Sequence, residues 1–139
     1  MGLEHQFAII SKNSSENIIT PDMNSVSVSD MIIRYIGDSL KWIRTTWNGK
    51  RLQNGISYYG FSFIENGEII KLERIIKQWI ELFCISPDEF YLTGDYLPEE
   101  KRYENILVKK EEILKSLNSF VYICEKAIKE NAKILHNGI

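Results

Sequence analysis

The chain is poor in the residues that carry most metal and nucleophile chemistry. Its 139 residues include only two histidines, two cysteines and three prolines. Two cysteines are too few for the disulfide framework of a small secreted domain, so we expect Cys84 and Cys124 to be buried free thiols on apolar helix faces. His5 and His136 stand near opposite ends of the chain without metal-ligand spacing, and we expect both to be surface or terminal residues.

Motifs of nucleotide binding and covalent catalysis are also missing. The sequence has no Gly-x-Ser-x-Gly turn, no Gly-x4-Gly-Lys-Ser/Thr loop and no Gly-x-Gly-x-x-Gly run. The adjacent carboxylates Glu99-Glu100 and Glu111-Glu112 would point about 100° apart on a helix, which favours a solvated face over an acid–base pair. We therefore expect a protein that is not an enzyme, with no catalytic residues, no cofactor and no metal.

Long apolar runs and a leader are absent as well. No apolar stretch approaches the ~18 residues of a membrane helix, and the N-terminal segment lacks the basic region of a signal peptide. We expect a cytoplasmic protein without a membrane partner.

What is present is a clear alternation of strand and helix patterns. Periodicity predicts strands at 5–11, 42–47, 57–64 and 90–93, helices at 28–39, 69–84 and 108–135, and a short helical turn at 86–89. The Asn48-Gly49 and Asn54-Gly55 steps between aromatic runs indicate hairpin turns, and the Ser/Asn-rich segment 12–27 suggests an exposed loop. The sequence predicts a single α+β domain over residues 1–139, in which about three helices pack on a mostly antiparallel sheet of about four to five strands.

Although the net charge is only -2, charged residues of each sign are unevenly distributed along the chain. Residues 78–100 contain no Lys or Arg but six acids, and residues 39–64 contain Lys41, Arg44, Lys50 and Arg51 but no acid. One interpretation is that chance produced these blocks and each is a solvated loop. The other is that the acidic block, which also carries tyrosines, is an interaction surface for a basic partner. Cations interleaved with Trp42 and Trp47 could stack on single-stranded nucleic acid, but the acidic chain disfavours that partner.

The stretch Ser86-Pro87-Asp88-Glu89-Phe90-Tyr91-Leu92-Thr93-Gly94-Asp95-Tyr96, between featureless amphipathic helices, resembles the immunity proteins of bacterial contact-dependent-inhibition and polymorphic-toxin systems. The resemblance implies a protein that binds a cognate toxin domain, often a basic nuclease, and neutralises it by covering its active site. The expected partner-binding residues are Asp88, Glu89, Tyr91, Asp95, Tyr96, Glu99 and Glu100.

A different class of function also fits the sequence. The chain could be a small enzyme or a small-molecule-binding domain whose pocket lies between the sheet and the 69–84 helix. Tyr58, Tyr59 and Trp79 are the expected lining residues of such a pocket.

Overall fold

The structure, a computed structural model, describes residues 2–139, which form eight strands and four helices. In chain order they are β1 (Glu4–Ile10), β2 (Ser25–Ser29), α1 (Asp30–Tyr35), α2 (Gly37–Leu40), β3 (Arg44–Trp47), β4 (Arg51–Asn54), β5 (Phe61–Ile64), α3 (Gly67–Cys84), β6 (Glu89–Leu97), β7 (Arg102–Lys109), α4 (Lys110–Lys129) and β8 (Lys133–Asn137). The predicted α+β class is confirmed.

Six of the strands form one sheet in the order β2-β1-β8-β5-β3-β4, and every neighbouring pair is antiparallel. The sheet is therefore larger than the four to five strands expected. The first and last strands of the described chain, β1 and β8, are neighbours near its centre. Strands β6 and β7 form a separate two-stranded unit, the hairpin.

The predicted turn between β3 and β4 is confirmed. Asn48 and Gly49 both have positive φ, at 53° and 68°. The Lys50 N–H donates to the Trp47 carbonyl at 3.0 Å and closes the turn. Two consecutive left-handed residues match the twist of antiparallel strands, and Asn-Gly adopts that geometry at little cost.

The helix predicted over 28–39 begins later than expected. Residues 25–29 alternate Ser and Val, and the period of two places them in β2, where Val28 pairs with His5 of β1. The N-cap is Ser29, whose hydroxyl accepts from the Met31 N–H at 3.2 Å. The helix therefore begins at Asp30, two residues after the predicted start.

The helix predicted over 108–135 is wrong at its C-terminal end. Helix α4 ends at Lys129, Asn131 turns the chain with a φ of 52°, and β8 follows. Leu135 continues the apolar spacing of α4, but it lies in β8 and packs on the opposite face of the sheet. Strand β7 is an addition to the elements that the sequence patterns predict.

The helical turn predicted at 86–89 does not form. The Ser86 hydroxyl donates to the Phe83 carbonyl at 2.6 Å, at the end of α3, and Glu89 already begins β6. The 69–84 helix itself is confirmed, because α3 covers Gly67–Cys84.

Each face of the main sheet has its own apolar cover. On one face the helices bury the larger core, in which the Phe7 and Phe120 rings lie 4.2 Å apart. On the other face Ile10, Phe63 and Leu135 pack against Ile19 and Met23. The segment expected to be only an exposed loop thus contributes two side chains to a second small core.

The two cysteines differ in burial. Cys124 is buried in α4, and burial raises the pKa of its thiol to about 12. Cys84 is free as expected but exposed, because it is the last residue of α3 and lies off the buried stripe. No helix within residues 2–139 has the length and apolar character required to cross a bilayer.

Truncating the Phe120 ring should destabilise the fold strongly. Phe120 is fully buried against Phe7, so Phe120→Ala should lower the free energy of unfolding by about 3–5 kcal/mol. Tyr122 lies on the same helix but is 54% exposed, and Tyr122→Ala should change that free energy by about 0.5 kcal/mol or less. Urea unfolding followed by circular dichroism measures both values, and equal losses in the two variants would contradict this packing.

Candidate functional site

The two histidines lie in the core, which corrects the expectation that they are surface or terminal residues. His5 in β1 and His136 in β8 are both 0% exposed. The Nδ1 atom of His5 lies 3.0 Å from Nε2 of His136, and the rings stack at 5.2 Å between centroids. The pairing of β1 with β8 brings these two distant sequence positions together.

A buried carboxylate stands at the other side of His5. The Oδ1 atom of Asp30, the first residue of α1, lies 2.9 Å from His5 Nε2 and also accepts from the Tyr58 hydroxyl. The other oxygen, Oδ2, lies 3.2 Å from Arg34 Nε, one helical turn further along. Asp30 is only 7% exposed, and three donors from three segments satisfy its charge.

The hydrogen bonds form one continuous chain from Ser57 to Asp30. The Ser57 N–H donates to Ser62 Oγ at 2.7 Å, and Ser62 Oγ lies 3.3 Å from His136 Nδ1. With its oxygen accepting from the amide, the Ser62 hydroxyl can donate to His136, His136 Nε2–H to His5, and His5 Nε2–H to Asp30. This arrangement uses two neutral imidazoles and leaves no donor facing another donor.

Burial shifts the pKa values of two groups in this network, His136 and Tyr58. Desolvation, with the neighbouring His5 as a smaller cause, lowers the pKa of His136 to about 3. Desolvation and the hydrogen bond to Asp30 raise the pKa of Tyr58 to about 12. Both groups are therefore neutral at pH 7.

The network reaches the surface only at its Asp30 end. Arg34 and Tyr58 line a groove of about 360 Å³, whereas both histidines are completely buried. A substrate in that groove would meet the guanidinium and the phenol and not the imidazoles. Within residues 2–139, no three His, Cys, Asp or Glu side chains form a group that could hold a metal ion. The geometry is that of a satisfied polar core.

The seven expected partner-binding residues all lie on or beside the hairpin, but the acids among them do not form one patch. Asp88 and Glu89 are at the start of β6, and Glu99 and Glu100 are in the turn after it. A strand of nine residues separates these ends by about 30 Å. Asp95 is at an irregularity in the register between Thr93 and Tyr96, and its carboxylate pairs with Arg34 of α1.

Strand β7 also brings cations beside the acidic block. Arg102 pairs with Glu100 at 3.0 Å, and Lys109 stands opposite Glu89 in the register. Asp88 and Glu99 remain exposed, and in the described part of the chain neither carboxylate has a cationic group within 4.0 Å. Of the six acids in residues 78–100, two are therefore paired with arginines and a third stands opposite a lysine in the register.

The two expected tyrosines do share a surface. Tyr91 pairs with Leu107, and Tyr96 pairs with Tyr103 with ring centroids 5.1 Å apart. This side of the hairpin, the outer face, carries exposed side chains on both strands: Tyr91, Thr93, Tyr96, Tyr103, Asn105 and Leu107. The opposite side carries Phe90, Leu92, Ile106 and Val108, which pack into the main core.

The residues expected to line a single pocket do not do so: the rings of Tyr58 and Tyr59 lie 4.8 Å apart, but Trp79 lines a groove that contains neither of them. Tyr58 is in the buried network, Tyr59 is 81% exposed, and Trp79 lines a groove between α2 and α3. A groove of about 580 Å³ does lie between the sheet and the start of α3, but Thr45, Phe63 and Glu68 are among its lining residues instead.

Local sequence patterns do not reveal the buried histidine network or the half of the outer face that β7 contributes. His5 lies two residues before Phe7 and therefore on the same face of a short apolar strand. A histidine on the buried face of such a strand indicates a core role. The same signal at His136 is hidden because the apolar spacing of residues 133–137 continues that of a helix. Tyr103 and Leu107 are four residues apart, a spacing that places them on one face of a strand. The strand pattern of this segment is the only sequence signal for that shared face.

Comparisons with known proteins add no relative: no protein-family model, curated protein or solved structure matches this chain.

Acid should destabilise the protein through His136. Its pKa is 6.5 ordinarily and about 3 when folded, so below pH 6.5 the unfolded chain binds a proton that the folded chain rejects. The contribution of neutral His136 to stability is fully present above about pH 6.5. Below that pH the free energy of unfolding should fall by up to about 1.4 kcal/mol per pH unit. Urea unfolding between about pH 8 and pH 5 measures this slope.

His136→Gln provides the comparison, because glutamine cannot take up the proton. This variant should be less stable at neutral pH but should show a shallower slope between about pH 6.5 and pH 5. Identical slopes in the two proteins would show that His136 does not cause the pH dependence.

Proposed function

We propose that this chain is a non-catalytic binding protein that neutralises a cognate bacterial toxin domain by covering its active site, and that it binds through the outer face of the hairpin. The observation that carries the proposal is the exposure of Tyr91, Tyr96, Tyr103 and Leu107 on one side of two paired strands. Tyrosine is enriched in the cores of protein interfaces, where its ring is buried and its hydroxyl finds a partner.

The outer face is held rigidly from behind, which favours tight binding. Phe90 stacks on Phe83 of α3 with 5.9 Å between ring centroids, and Leu92 and Val108 are nearly fully buried. Arg34 links Asp95 to the buried Asp30. Because these contacts already fix the hairpin, little conformational entropy remains to be lost when a partner docks.

The charges around the outer face suit a partner with a basic surface. Asp88 and Glu99 flank it at opposite ends and lack an ion-pair partner within residues 2–139. Rim charges of this kind speed the encounter with a partner of opposite sign and add little to the final affinity. A basic nuclease domain, as the sequence resemblance implies, has the complementary charge.

Removing the tyrosines should break the complex. The probe is the toxin-like domain that this proposal expects the neighbouring gene to encode, purified and titrated by calorimetry. The absence of such a gene beside this one would contradict the partner. Tyr91→Ala combined with Tyr103→Ala should weaken binding by about a hundredfold, because buried interface aromatics contribute about 2 kcal/mol or more. The matched control Tyr122→Ala removes a tyrosine of similar exposure from α4 and should leave the affinity unchanged.

The outcomes of this titration separate the surface from the partner. Failure of the unaltered protein to bind the toxin domain would contradict the partner. Binding that the double tyrosine variant retains in full would contradict the outer face as the surface. Loss of toxin activity in the complex, restored by the double variant, supports neutralisation.

Reversing the flanking acids should slow association. Asp88→Lys combined with Glu99→Lys should lower the association rate about tenfold at low salt, and the difference should shrink at high salt as screening increases. Stopped-flow mixing with the same toxin domain measures the rate. Glu16→Lys combined with Glu125→Lys, two exposed acids outside the hairpin, changes the net charge by the same amount and is the control. An equal effect in that control would rule out a local role for Asp88 and Glu99.

A further inference from the structure

A groove between α2 and α3 combines aromatic walls with a one-sided charge. It encloses about 550 Å³, a volume typical of small-ligand sites, and no acidic side chain lines it. Its lining residues are Ser39, Trp42, Lys71, Arg74, Ile75, Lys77, Gln78, Trp79 and Leu82. None of them belongs to the hairpin, so ligand binding in this groove is independent of the proposed function.

One aromatic wall of the groove is fixed in place. The Trp79 Nε1–H donates to the Ser39 hydroxyl at 2.9 Å, which joins α3 to α2. The indole stacks on Phe83 at 5.8 Å and meets Tyr35 edge-on at 5.9 Å. A ring held on two sides in this way offers a preformed flat surface.

A second indole, that of Trp42, also lines the groove. Trp42 follows α2 and is 62% exposed, although tryptophan is normally among the more buried residues. Leu82, 55% exposed, lies close to Trp79 on α3. The groove therefore presents apolar surface to solvent from both helices.

Two cations of the groove form no ion pair within the described chain. Lys71 and Arg74 lie one helical turn apart on the face of α3 that also carries Gln78. Lys77 is engaged by Glu73 at 2.9 Å, whereas in the described chain Lys71 and Arg74 have no carboxylate within 4.0 Å. A negatively charged ligand in the groove could form ion pairs with these two cations.

We propose that this groove binds a small planar organic anion, with its flat apolar body against Trp42 and Trp79 and its carboxylate, sulfonate or phosphate against Lys71 and Arg74. Aromatic surface and unpaired cations together favour this class over a neutral apolar molecule, because an anion is attracted to Lys71 and Arg74 and a neutral molecule is not. A volume of about 550 Å³ suits a single compact ligand rather than an extended polymer.

Anilinonaphthalene sulfonate is a direct probe, because it is a flat aromatic anion whose emission rises in apolar surroundings. Excitation of the tryptophans should sensitise its emission, saturating at one molecule per chain. Phenylnaphthylamine has the same ring body without the sulfonate, and it should bind about tenfold more weakly if the cations contribute.

Variants locate the bound probe. Lys71→Glu combined with Arg74→Glu should weaken anilinonaphthalene sulfonate about tenfold, and Trp42→Ala should weaken it about fivefold. The matched controls are Lys50→Glu combined with Arg51→Glu at the β3–β4 turn, and Tyr59→Ala for an exposed aromatic side chain. These substitutions lie at the surface, so circular dichroism should remain that of the unaltered protein.

Three results would overturn the proposal. The first is the absence of saturable binding of anilinonaphthalene sulfonate. The second is equal weakening by the control variants. The third is tighter binding of a short single-stranded oligonucleotide than of the dye at this groove, which would make the occupant a nucleic acid.

Discussion

The buried carboxylate of Asp30 is the constraint around which the rest of the structure is organised. An ionised carboxylate at 7% exposure would be very costly alone, and the fold offsets that cost with donors from β1, α1 and the segment before β5. Each donor must reach one point, which fixes the relative position of the three segments. Replacing a donor would leave a buried charge partly unsatisfied, so the tolerance of this region to substitution is low.

The histidine pair extends that constraint across the sheet. His5 and His136 are 131 positions apart in sequence, yet a single hydrogen bond joins them because β1 and β8 are neighbours. Neutral rings that donate in one direction, from Ser62 toward Asp30, satisfy every polar atom of this chain of hydrogen bonds. Strands β1 and β8 are thus held together by apolar packing and by this directional hydrogen bond.

The same topology explains which features could be predicted from the sequence. Helix α3 and the Asn48-Gly49 turn follow from local patterns of spacing and residue type, and both are confirmed. Strands β2 and β8 are five residues long, and Leu135 happens to continue the apolar spacing of α4, so local periodicity favours helices at both places. The histidine network depends on a contact between distant strands, which no local pattern encodes. Tyr91 is predicted at the surface from the sequence, but its neighbour Leu107 is not, because that contact depends on the pairing with β7.

Arg34 connects the polar core to the surface of the hairpin. Its guanidinium contacts Asp30 inside and Asp95 outside, at the position where the register of the hairpin shifts. The Asp95 pair alone is exposed and would contribute little, but Arg34 is already positioned by the buried carboxylate, so less side-chain entropy is lost in making the outer contact. The orientation of the outer face is therefore tied to the buried network that begins at Ser57, through this side chain as well as through the packing of α1 against β6.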